Sequence, residues 1–190
     1  HLTPVIFFSF SRKKCEEYAR SIICSLINKE ELSQIQYLFD KYMNGMFKDY
    51  KPLHQVNEVE KFLQKGVGIH HSGLVSPLKE IQEILFSKGL IKVLFATETF
   101  AVGVNMPTRT VVFTSLSKFD SHVSGMRILK TNEYLQMSGR SGRRGLDNKG
   151  TVIYFPLYYP PQLYEINNMM KGKTSSIKSK LQLNSQFILK

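Results

Sequence analysis

Five short apolar blocks punctuate the chain, at residues 4–10, 67–70, 91–96, 110–114 and 151–155. They are too short for core helices and do not alternate with polar residues. They therefore read as strands buried on both faces. Between them apolar residues recur every three or four positions, the helical period. Arg12 to about Ile27 turns Cys15, Ala19, Ile22 and Leu26 to one side, with Ser11 as its cap. Asn28-Lys29-Glu30-Glu31 has the spacing of a capping box, and Leu32, Ile35, Phe39 and Met43 form the inner stripe that follows. Residues 45–52 break the pattern. A short helix over Glu58–Lys65 ends at Gly66. Ser76 followed by Pro77 predicts a helix start, and Leu78, Ile81, Ile84 and Leu85 carry it to Ser87, with Gly89 as the stop. Ser117–Lys130 alternates around Ser124-Gly125, which predicts a β-hairpin. Thr131 is placed to cap another helix. After Pro156, Pro160 and Pro161, a last helix spans Gln162–Met170.

Strands separated by helices predict an α/β protein, a mainly parallel sheet covered on both faces. Such sheets bind ligands in loops beyond the carboxyl ends of their strands. That rule gathers Phe10-Ser11-Arg12, His70 to Gly73, Thr97 to Asn105 and Ser115 to Lys118 on one rim.

Charge narrows the ligand. Lysine and arginine number 26 against 15 acids, a formal net charge of +11. A basic surface attracts polyanions, and phosphate backbones are the commonest. Any single basic cluster is equally a solvated face, so charge alone does not decide. No apolar run approaches the roughly 20 residues that span a bilayer. The only two cysteines, Cys15 and Cys24, fall on one predicted helix, where they cannot bridge each other. Free thiols fit a reducing interior. His70-His71 is a poor metal site, because adjacent strand residues point oppositely and no cysteine lies at ligand spacing.

The most specific segment is Gln136-Met137-Ser138-Gly139-Arg140-Ser141-Gly142-Arg143-Arg144-Gly145. Written on a helix, Gln136, Arg140 and Arg143 fall at i, i+4 and i+7 and share a face. Glycines at 139 and 142 would cost about 1 kcal/mol each in a helix interior, so they imply a close approach. Two guanidinium forks and an amide suit a triphosphate whose charge shifts during cleavage. The alternative is a basic helix that merely touches nucleic acid.

This segment resembles motif VI of superfamily 2 helicases in the form used by the DExH group. Ala96-Thr97-Glu98-Thr99-Phe100-Ala101-Val102-Gly103-Val104-Asn105-Met106-Pro107 resembles motif V of that group. Pro4 to Arg12 resembles motif IV, and His70-His71-Ser72-Gly73-Leu74 the loop called IVa. The likeness covers nearly the whole chain. It implies the second RecA-like domain of a DExH-box RNA helicase, a three-layer αβα fold with an added hairpin and a short C-terminal helical extension. Residues 1–155 would form that domain, and 156–190 a linker and the start of a winged-helix region.

The resemblance also implies roles. Arg140 and Arg143 would be arginine fingers, and Gln136 would help position the attacking water. Gly103 and Asn105 would border ATP. Ser11, Arg12, His71, Ser72 and Thr97 would contact single-stranded RNA. No phosphate loop or Asp-Glu-x-His sequence occurs. Gly172-Lys173-Thr174 is a decoy, because Asn167 stands where the first glycine is required. The phosphate loop and the Mg2+ ligands are thus expected on an amino-terminal RecA-like domain, and this piece alone should not turn over ATP. Ala96 to Phe100 is similar to the helicases that feed the RNA exosome. Lys14 to Ala19, Leu85 to Gly89 and Pro107 to Val111 favour their cytoplasmic superkiller branch over the nuclear one. Lys118-Phe119-Asp120 departs from both branches at its middle residue. A catalytically inactive binding module and a DNA-directed motor are the rival readings.

Overall fold

A computed structural model describes residues 2–45, 50, 53–103, 106–121, 123–156 and 160–172. Five parallel strands form the central sheet: β1 (Val5–Phe8), β2 (Val67–His70), β3 (Val93–Ala96), β4 (Thr110–Phe113) and, at the end, β7 (Thr151–Tyr154). Their order is β2-β3-β1-β4-β7. The register sets Val5 beside both Val93 and Thr110, and Val67 beside Val93. Ile6, Phe8, Leu94, Val111 and Phe113 are buried at its centre, as continuous apolar strands require. The antiparallel hairpin stands apart, with β5 (Ser117–Asp120) paired to β6 (Gly125–Ile128) and Phe119 opposite Met126.

Seven helices among the described residues cover the sheet: α1 (Arg12–Ser21), α2 (Lys29–Asn44), α3 (His54–Leu63), α4 (Ser76–Ser87), α5 (Glu98–Gly103), α6 (Thr131–Ser138) and α7 (Leu163–Lys171). This is the RecA-like α/β arrangement that the strand and helix pattern predicts. The capping box at Asn28 is present: its Oδ1 accepts from Glu31 N at 2.8 Å, and Glu31 Oε2 accepts from Asn28 N at 3.0 Å. Glu31 also receives Lys92 Nζ at 2.5 Å, which ties the start of α2 to the entry of β3. Strand β2 lies at the sheet's edge. Its Ile69 N–H is satisfied by buried Gln82 Oε1 of α4 at 2.8 Å, so the edge is closed by a side chain.

Several boundaries differ from the sequence reading. Helix α1 ends at Ser21, because Ile22 turns extended and its carbonyl receives Lys65 Nζ at 2.9 Å. Leu26 and Ile27 still pack on the core, but from a loop, and Cys24 lies beyond the helix. Helix α3 begins four residues early, since Val56 already belongs to its buried face. Ser76 and Thr131 are first helical residues rather than caps; Val75 and Lys130 hold the cap positions. Helix α7 joins the main body: Met169 is buried in the core, and Thr131 Oγ1 lies 3.4 Å from the Asn168 carbonyl. Lys173 and Thr174 fall outside the described residues. No helix among those described is long and apolar enough to cross a membrane.

Candidate nucleic-acid cleft and nucleotide-facing loop

Beyond the carboxyl ends of β1, β2 and β3 lies a cleft of about 200 Å3. Phe10, Arg12, Ser72, Thr97, Glu98, Thr99, Lys118 and Phe119 line it. Three expected RNA contacts, Arg12, Ser72 and Thr97, thus come together from three loops. Backbone order fixes them. Ser11 caps α1 through Lys14 N at 3.4 Å, which aims Arg12 outward from the first turn. Thr97 N donates to the His70 carbonyl at 3.0 Å, and Thr97 Oγ1 sits 3.0 Å from Thr99 Oγ1. Ser11 itself serves as a cap beside the cleft and does not line it.

His71 is placed differently from the other expected contacts. It is buried at 3 % exposure beneath the loop. Its Nδ1 accepts from Gly73 N at 3.2 Å, and its Nε2 lies 3.4 Å from Glu16. Burial pushes its pKa down, against the pull of Glu16. The neutral ring therefore shapes the Ser72-Gly73 turn from below. Gln55 secures the same turn, donating to the Gly73 carbonyl at 3.1 Å. A side chain at Gly73 would come 3.1 Å from His71 and 3.4 Å from Arg12, so glycine permits the loop to close on the arginine. His70, also buried, holds Glu83 at 2.8 Å, and burial likewise lowers its pKa.

The arginine-rich segment is not a helix. Helix α6 stops at Ser138; Gly139 caps it with its N–H on the Leu135 carbonyl. The shared helical face of Gln136, Arg140 and Arg143 is therefore corrected: Gln136 lies exposed on α6, while the two arginines occupy the loop after it. That loop is clipped to the entry of β4. Thr108 N donates to Arg140 O at 2.8 Å, and Gly142 N donates to Thr108 O at 2.7 Å. Gly142 takes φ +89° and meets Gly150, where an added Cβ would lie 2.6 Å from the Ser141 backbone. The glycines make this crossing possible; they do not interrupt a helix.

Each arginine has an internal partner. Arg140 Nη2 donates to the Ala101 carbonyl near the end of α5. Arg143 grips Asp147 in a fork, Nε to Oδ2 at 2.8 Å and Nη2 to Oδ1 at 3.0 Å. Those bonds hold the Asp147 carboxyl down at about 2. The Arg143 side chain keeps 29 % exposure and opens on a second cleft of about 380 Å3, lined also by Met106, Pro107 and Arg144. The two guanidiniums at this cavity, of Arg143 and Arg144, form a donor set that fits a polyphosphate. Gly103 ends α5, two residues after the Ala101 carbonyl that Arg140 holds, and Asn105 lies outside the described residues. Among the described residues no group of three or more His, Cys, Asp and Glu side chains is placed to hold a metal.

Sequence reasoning missed Asp147, Thr108 and Gly150. Asp147 stands four residues after Arg143, an opposite-charge spacing visible in the sequence. The roles of Thr108 and Gly150 depend on a crossing that no local pattern signals.

A RecA-like sheet, an arginine loop and a cleft at the strand ends are the parts of a helicase motor, and the chain belongs to the family described as helicase conserved C-terminal domain, matched over residues 20–145. It is 46% identical over 187 residues to superkiller complex protein 2 of Mus musculus, covering 98% of this chain and 15% of that protein. Antiviral helicase SKI2 of Saccharomyces cerevisiae is 43% identical over 189 residues, 99% of this chain and 14% of its own length. Exosome RNA helicase MTR4 of Homo sapiens is 51% identical over 151 residues, 79% of this chain and 14% of that protein. The chain thus spans about one seventh of the length of these relatives.

Proposed function

We propose that this chain is the second motor domain of an ATP-dependent helicase that moves 3′-to-5′ along single-stranded RNA and delivers it to the exosome. The convergence of Arg12, Ser72 and Thr97 on one strand-end cleft, with Arg140 and Arg143 in a separate loop, supports this reading best. RNA would be held through its phosphates by Arg12, Thr97 and Ser72, with Ser11 and His71 fixing the loops that carry them. Phosphate contacts make binding salt-sensitive and weakly selective for sequence. ATP, when bound between this domain and an amino-terminal RecA-like domain, supplies the hydrolysable triphosphate. Magnesium ligands belong to that other domain. On this chain, Arg140 and Arg143 would neutralise charge at the terminal phosphate, Gln136 would orient water, and Gly103 and Asn105 would border the nucleotide. Likeness to the superkiller proteins supports a cytoplasmic helicase working with the subunits of such a complex.

The test is ATP hydrolysis by the full-length protein, with and without single-stranded RNA, alongside competition between RNA and matched DNA. RNA-stimulated turnover and preference for RNA are expected. Turnover indifferent to RNA, or a preference for DNA, overturns the assignment.

A further inference from the structure

From the wall of the strand-end cleft, where Glu98 and Lys118 stand, extends a group of charges that neither assigned role uses. Lys118 Nζ of β5 touches Glu98 Oε2 of α5 at 2.5 Å and Glu133 Oε1 of α6 at 2.9 Å. Arg127 of β6 grips Glu133 twice at 2.8 Å and Asp120 at 2.5 Å. Glu133 also accepts from Lys130 N at 2.8 Å, which fixes the first turn of α6. Its carboxyl therefore has four donors. Burial opposes its ionisation, but the bonds from Arg127 and Lys118 prevail and bring it down to about 2. The side chains of Lys118, Arg127 and Glu133 keep only 15 %, 19 % and 20 % exposure. Separating charges this sheltered is costly, so the group moves as a unit.

Its position gives that unit a task. Lys118 and Phe119 of β5 both line the strand-end cleft, and Lys118 and Asp120 also reach into the ion group. Lys118 thus holds the hairpin to the first residues of both α5 and α6. The two helices then lie side by side, and Arg140 joins them again through the Ala101 carbonyl. One end of the pair borders the cleft; the other carries Gly103 and the arginine loop. A displacement of the hairpin or of Glu98 is delivered to both helix starts through one ammonium and one carboxylate.

We propose that Glu133, acting through Lys118 and Arg127, is a positioning residue that transmits RNA occupancy of the strand-end cleft to the nucleotide-facing loop. The proposal rests on the motor reading above. It touches neither substrate and acts on how far RNA accelerates hydrolysis. A coupling of ordinary size, about fivefold or more, is at stake.

The experiment uses the full-length protein with Glu133→Gln, Arg127→Met and the pair combined, measuring ATP turnover against RNA concentration. For Glu133→Gln, RNA-free turnover, the KM for ATP and the RNA concentration at half-stimulation should stay within about twofold, while turnover at saturating RNA falls about fivefold or more. The double variant should lose no more than the worse single one, since members of one unit are not additive. Equal losses with and without RNA mean a merely structural role and overturn the proposal. So does a shift in half-stimulation with maximal turnover unchanged, or additive losses in the double variant. If Glu133→Gln does not fold, Arg127→Met, which removes the charge from the same ion group without touching the cleft, must show the same selective loss or the proposal fails. A parent protein without RNA stimulation would instead refute the motor reading itself.

Discussion

The strand-end cleft and the arginine loop hold their side chains by opposite means. In the cleft, Arg12, Ser72 and Thr97 are placed by backbone bonds: a helix cap, a glycine turn on His71, and a strand-to-helix junction. Their polar ends are left facing the cavity. In the loop, Arg143 is held by a carboxylate, which takes its Nε donor and one from Nη2. The first region is preformed for a ligand of constant charge. The second already carries an anion on one edge of its guanidinium. Under the proposed motor reading, a phosphate whose charge grows during reaction would compete with Asp147 best at the moment of cleavage.

The sharpest way to break this comparison is Arg143→Ala in the full-length protein. RNA-stimulated ATP turnover should fall by about 10³-fold, the lower range for a lost arginine finger, while RNA affinity holds. Near-normal turnover would leave Arg143 a structural partner of Asp147. Next in size is Gly150→Ala. Its Cβ would press the Ser141 backbone at 2.6 Å, so the urea midpoint should drop by the equivalent of about 1–3 kcal/mol. An unchanged midpoint would mean that the crossing at Gly142 carries no stability. Arg12→Ala should weaken RNA binding about tenfold, flatten its salt dependence by about one phosphate contact and leave turnover at saturating RNA unaltered. A change in turnover with binding intact would move Arg12 out of the cleft's account.

The smallest expected effect is on stability against pH, followed by thermal melts. His70 and His71 have folded pKa values below the ordinary value. As pH falls through about 6.5, the unfolded chain takes up protons that the folded one refuses. Stability should therefore be full above that value and decline below it. A second decline belongs to Glu133 and Asp147, whose folded values are near 2. Their contribution is present above about 4.5 and lost as pH falls toward 2. A melting temperature flat between pH 7 and 5 would contradict the neutral, buried state of the two histidines.

Much of the fold was legible because burial imposes a period. The parallel strands read as unbroken apolar runs, and the Asn28 capping box is a local pattern with a local cause. Helix ends were harder. Ser76 and Thr131 suit a cap and a first helical position equally well, and chain direction outside the helix decides between them. The arginine segment was misplaced for a related reason. Glycines at 139 and 142 read in the sequence as costs inside a helix, whereas Gly139 ends the helix and Gly142 turns the chain against Gly150. The types of the recognising residues were visible; the charges that hold them were not. Lys118 and Glu133 meet because a hairpin folds back over two helix starts, and no sequence spacing encodes that meeting.

Burial has also sorted the thiols. Cys15 is fully enclosed, and its pKa is pushed up to about 12, whereas Cys24 sits exposed in the loop after α1. Maleimide chemistry at neutral pH therefore sees a single address on this domain, in the loop that follows the helix that aims Arg12. A dye placed there would need no engineered cysteine here. Paired with a second dye on a neighbouring domain, it would turn the opening and closing that the proposed motor requires into a distance read in real time.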